Sequence, residues 1–154
     1  MLLKFSLGVS MDYYKFASVL DEVGQKQGKL LEELQKLIQF MKNENNPAID
    51  RRVESNLRRL RVLRARVKRI ISNPKSIELD GLDEYTRDSI AVLSEYMLIV
   101  GYLQEKMLIN ELISILNSRD DKDEHIDIVN RLYSDLEEIE SIEKTLKIIV
   151  NKYY

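Results

Sequence analysis

Apolar residues recur at alternating steps of three and four along most of this chain, a period that fits helices sharing a core and fits little else. Only five Gly and two Pro interrupt 154 residues, so breaks are few and easily located. The length suits one domain with a real core. With 44% hydrophobic and 32% charged residues, intrinsic disorder is excluded. The expected architecture is all-α, a helical bundle of about five helices.

Residues 1–10 depart from the helical period. Leu3, Phe5, Leu7 and Val9 share one parity, which reads either as a short strand or as a tail. Asp12 is the candidate cap of a first helix carrying Phe16, Leu20 and Val23 and ended by Gly24 and Gly28. A second helix carries Leu31, Leu34, Leu37, Ile38 and Met41, and the polar run from Asn43 to Asn46 closes it. Asn46 and Pro47 then open a third helix, because proline's missing N–H costs nothing in a first turn. Ser72 to Gly81, with Pro74, reads as a loop, and Asp83 caps a long helix reaching about Leu116. From Ile90 to Leu103 that helix is apolar almost all round, as expected of one surrounded by others, and Gly101 offers close packing or a break. A charged hinge, Ser118 to Glu124, leads to a final helix with Val129, Leu132, Leu136, Ile139, Ile142, Leu146 and Ile149 on one stripe. Three units are expected: a tail or strand over 1–10, a bundle over 11–117, and a hinge with the C-terminal helix over 118–154.

The net charge of −2 conceals a sharp asymmetry. Arg51 to Arg69 holds nine basic residues against Glu54 alone, a net of +8, which leaves −10 for the remainder. The densest acid run, Asp135 to Glu143, contains no base. Such segregation favours pairing between segments or subunits. Within the basic helix Val53, Leu57, Leu60, Leu63, Val67 and Ile70 form an apolar seam suited to a partner interface. Arg58, Arg59, Arg61, Arg66 and Arg69 fall on its flanks and outer face as a basic surface. That surface has three candidate uses: an acidic partner or the chain's own acidic last helix, a merely solvated face, or nucleic-acid contact. No aromatic residue interleaves the block, which disfavours the last.

Catalytic and cofactor chemistry finds little purchase. Zero Cys excludes disulfides and thiolate metal sites, and one His excludes the multi-histidine sites of zinc enzymes and of di-iron bundles. No metal or cofactor is therefore expected. The stretch from Gly24 to Lys29 has the wrong spacing for a phosphate loop and follows a helix rather than a strand. The acids between Asp120 and Asp127 lack the glycine and distant glutamate of a calcium loop. No secretory leader or membrane span is expected, so the reading is of a soluble, cytoplasmic protein.

Two resemblances remain. Arg119-Asp120 followed by His125 resembles the Arg, polar residue, spacer, His motif of HEPN-domain ribonucleases. That likeness implies a dimeric RNA-cleaving site in which His125 is the acid–base group and Arg119 steadies the phosphodiester, yet the intervening residues are almost all acidic and would repel RNA. The second is broader. Met11-Asp12-Tyr13-Tyr14-Lys15-Phe16, Leu30 to Ile38, and above all Arg58-Arg59-Leu60-Arg61-Val62-Leu63-Arg64-Ala65-Arg66-Val67-Lys68-Arg69-Ile70-Ile71 are similar to the opening helices of archaeal GINS subunits of the type with the helical A domain first. The likeness covers about residues 11–105 and implies a non-catalytic replication factor that assembles with a second GINS subunit, an MCM helicase and a RecJ-like partner. The family's β-rich B domain is not visible in residues 106–154, which read as helix.

Overall fold

The computed structural model describes residues 2–72 and 81–153, with side chains from Tyr14 onward. Among the described residues there are four long helical rods and no strand. We label them α1 (Leu2–Asn43), α2 (Pro47–Ile71), α3 and α4 (Ile126–Tyr153). α3 is one rod in three parts: Glu84–Tyr96, a π-helical segment Met97–Tyr102, and Leu103–Ser118. A 3-10 turn, Lys122–His125, precedes α4.

The all-α expectation holds, with four helices rather than five. Gly24 and Gly28 do not end a helix. Each costs about 1 kcal/mol in a helix interior, which the buried stripe on both sides of them outweighs. That stripe runs through Phe16, Leu20, Val23, Leu31, Leu34 and Ile38. Gly24 lies where α1 approaches α3, and a Cβ there would stand 3.3 Å from Met97 Sδ. The strand reading of residues 1–10 is also overturned, because α1 already includes Leu2. A lone strand has no partner for its backbone groups, whereas a helix satisfies its own. Asp12 consequently lies within a helix rather than at its start. The other two caps are as expected. Asn46 accepts from Ala48 N at 2.9 Å, and Asp83 accepts from Thr86 N at 2.8 Å. The Pro74 loop falls largely outside the described residues.

α1 packs on α2 and α3, and α4 packs on the same two, so α1–α4 and α2–α3 stand across the diagonals of a square bundle. α1 and α2 run antiparallel, tied by Asn56 Nδ2 donating to Leu30 O at 2.9 Å and by Arg66 to Glu22 at 2.9 Å. One hydrophobic core draws on all four helices, so the C-terminal helix belongs to the bundle rather than standing apart from it.

The α2 seam is where expectation and structure part. Leu60 and Val67 are fully buried, Val53, Leu57 and Leu63 nearly so, and Ile70 packs against the same core. Periodicity assigns these six residues to a partner, and the chain's own helices cover them instead. The reason is geometric: a bundle of four must turn one stripe of every helix inward.

Two outcomes follow. Gly28 is exposed with nothing within 4 Å of an added Cβ, so Gly28→Ala should raise stability by about 0.5–1 kcal/mol in urea denaturation. Leu60→Asp with Val67→Asp should abolish the folded state, seen as lost helical circular dichroism, and not merely disperse an assembly.

Candidate functional site

Arg119 and His125, the two residues of the HEPN-like motif, are both engaged with carboxylates of the same chain. Arg119, beyond the end of α3, makes a two-pronged contact with Asp50 in the first turn of α2, at 2.9 and 3.2 Å, with its side chain nearly buried. His125 Nε2 lies 3.0 Å from Asp121 Oδ2, and that contact holds the Asp121 carboxyl below its ordinary range. Asp120 is exposed. The two motif residues thus close one end of the bundle, where His125 and Asp50 border a small apolar hollow lined by Met41, Leu112 and Leu116.

The basic block divides in two. Arg61, Arg64, Arg66 and Lys68 are engaged within the chain, whereas Arg51, Arg52, Arg58, Arg59 and Arg69 are exposed and have no ion pair among the described residues. Arg61 and Arg66 therefore leave the proposed basic surface, and Arg58, Arg59 and Arg69 remain on it. Arg61, Arg64 and Lys68 find acidic partners on the chain's own last helix, whereas Arg66 meets Glu22 of α1. Arg61 grips Asp135 at 2.8 and 2.9 Å.

Arg64 is the residue that sequence reasoning missed. Its side chain is 2% exposed and reaches three acids on two helices. Nη1 meets Glu105 Oε2 at 3.1 Å, Nε meets Glu138 Oε1 at 3.1 Å, and Nη2 pairs with Asp135. With Arg61 and Lys68 added, three cations from α2 face three carboxylates from α3 and α4. Gln27 of α1 and Tyr102 of α3 are buried beside this cluster. Gly101 accommodates the Gln27 amide, with which any Cβ would collide.

The electrostatics follow from burial. Desolvation opposes the Arg64 charge, but Glu105 and Asp135 outweigh it and hold the guanidinium above its ordinary range. For Glu105 desolvation wins over Arg64, and its carboxyl is pushed up to about 7. Burial also drives the Tyr102 phenol upward, with the Glu105 charge adding to the effect. Among the described residues no group of three or more His, Cys, Asp or Glu side chains is placed to hold a metal ion. The carboxylates converge on a guanidinium instead.

A sequence signal for the cluster exists. The strict four–three alternation on α2 runs Val53, Leu57, Leu60, Arg64, Val67, Ile71, and on α4 it runs Leu132, Asp135, Ile139, Ile142, Leu146, Ile149. Both charged residues occupy core positions that an apolar-only template passes over.

The remaining feature is an open apolar face. Val92, Tyr96, Ile99, Val100, Leu103 and Met107 lie on the outer side of α3, each between 43% and 64% exposed, while Ile90, Met97 and Ile109 fill the core on its inner side. No helix of the described residues is long and apolar enough to cross a membrane. Comparison with protein-family models, curated proteins and solved structures gives no match.

The cluster generates a mutational and a pH prediction. Arg64→Met leaves Glu105 buried without its countercharge and Asp135 with Arg61 alone, and should cost about 3–5 kcal/mol of stability. Because the folded state raises the Glu105 pKa from 4.5 to about 7, its contribution to stability is fully present below pH 4.5 and is lost as pH rises through about 7. Denaturation midpoints measured between pH 5 and 8 should fall with pH in the wild type, and Glu105→Gln should flatten that slope.

Proposed function

We propose that this chain is a non-catalytic assembly subunit whose contact surface is the outer face of α3. The observation that carries this reading is the six-residue apolar stripe left uncovered on a helix that is apolar on its inner side as well. An apolar face of this extent on a folded domain is characteristic of a protein–protein contact. The finer proposal is a GINS-type replication scaffold acting beside an MCM helicase and a RecJ-like partner. It rests on the residue pattern of α2, Arg58 to Ile71, and on the helical order that follows it. In this reading the contact seam moves from α2, whose stripe is internal, to α3. The exposed Arg51, Arg52, Arg58, Arg59 and Arg69 form a separate positive face on α2, across the bundle from the stripe, which attracts an acidic partner at long range.

A HEPN-type ribonuclease is the less favoured reading. Arg119 spends two of its five donors on Asp50 and its side chain is nearly buried, which leaves little of the guanidinium open to a phosphodiester. Direct nucleic-acid contact through the five exposed arginines would appear as binding that weakens steeply with salt.

The test compares the tagged chain with an Ile99→Asp/Leu103→Asp variant in extract of the source cells. The assembly reading expects the variant to keep its helical signal and lose a defined set of co-purifying proteins. Identical sets for both, or cleavage of single-stranded RNA that His125→Ala abolishes, would count against it.

A further inference from the structure

We infer that the open face of α3 is the two-fold interface of an antiparallel homodimer, in which Val92, Tyr96 and Ile99 of one copy meet Met107, Leu103 and Val100 of the other. This deepens the assembly reading by naming the partner, and it rests on that reading.

The first ground is the arrangement of the stripe. It is a palindrome in residue spacing: counted outward from the midpoint between Ile99 and Val100, apolar residues occur at the same distances in both directions. A two-fold axis through that midpoint therefore brings apolar onto apolar at all three levels. An isologous interface demands this self-complementarity and a contact with an unrelated protein does not. The π segment Met97–Tyr102 contributes, since its wider turn lets the consecutive residues Ile99 and Val100 both face outward at the centre.

The second ground is polarity at the margins. The stripe ends symmetrically at Ser89 and Asn110, which the same axis sets opposite one another. Glu95, on its flank, falls opposite Gln104, whose amide can donate to it. A parallel pairing would bring the two Glu95 carboxylates to one level, and the two Asp88 carboxylates to another. In the antiparallel pair Asp88 approaches Glu111, whose carboxylate is already held by Lys42.

The third ground is size. The stripe runs about 22 Å along the helix. With full side chains of this kind presenting roughly 150–200 Å², six half-exposed ones offer on the order of 500 Å² per copy. Two copies then bury about 1,000 Å², the lower bound for a specific interface and consistent with a dimer in the micromolar range.

The native chain contains no cysteine, so engineered ones report contact cleanly. Sedimentation of the wild type across roughly 1–300 µM should show a monomer–dimer equilibrium. Ile99→Asp should weaken it by roughly 100-fold or more, because the new carboxylate must be buried at the axis. Met107→Lys, at the more exposed end, supplies a second test if the first variant loses its helical signal. Under mild oxidation Tyr96→Cys/Leu103→Cys should yield covalent dimer, and Tyr96→Cys alone should not. In the antiparallel pair of the single variant, the two introduced sulfurs would sit about 10 Å apart along the helix direction, beyond disulfide reach. A wild type that stays monomeric to about 300 µM overturns the proposal, as does cross-linking of Tyr96→Cys alone at the rate of the double variant. A monomer whose stripe variant still loses co-purifying proteins would overturn the homodimer and leave the assembly reading standing. A monomer whose stripe variant loses nothing would overturn both.

Discussion

A single buried guanidinium sets the geometry of this bundle. Arg64 lies in the interior with its donors directed at Glu105 on α3 and at Asp135 and Glu138 on α4. Stripes of Leu and Ile are nearly interchangeable, so one helix can slide a heptad past another and still bury oil against oil. A charge that must find three specified acceptors admits no such slip, since any other register leaves it desolvated and unpaired. The cluster therefore fixes α2, α3 and α4 in rotation and height, and α1 joins through Gln27 and the close approach at Gly24 and Gly101.

This use of charge also accounts for the asymmetry along the chain. The cationic block and the acidic last helix attract one another inside one molecule, with Arg61, Arg64 and Lys68 meeting Asp135 and Glu138. Only part of the block is consumed. The arginines on the far side of α2 stay in water, and the uncovered apolar surface lies on α3. The charged face and the oily face thus lie on two different helices, α2 and α3, which stand across a diagonal of the bundle.

Arg119 and His125 both make contacts that tie together one end of the bundle. The guanidinium secures the N-terminal turn of α2, and the imidazole secures the turn before α4. Both contacts close the hinge between α3 and α4 and give Asp50 and Asp121 their partners.

Periodicity determined that the chain is helical and which apolar residues of the final helix turn inward, and cap residues determined where α2 starts and where α3 is capped, because these depend on neighbours within a few residues. Asn46, Pro47 and Asp83 act locally, and local rules found them. What periodicity could not decide was whether Gly24 and Gly28 break a helix, whether the α2 stripe faces a partner or the chain itself, and that Arg64 and Asp135 occupy core positions. Those outcomes depend on atoms distant in sequence: Met97 beside Gly24, α4 over the α2 stripe, and Glu105 and Glu138 around one guanidinium. A charge is read as exposed until its countercharge is seen, and only the tertiary structure brings the two together.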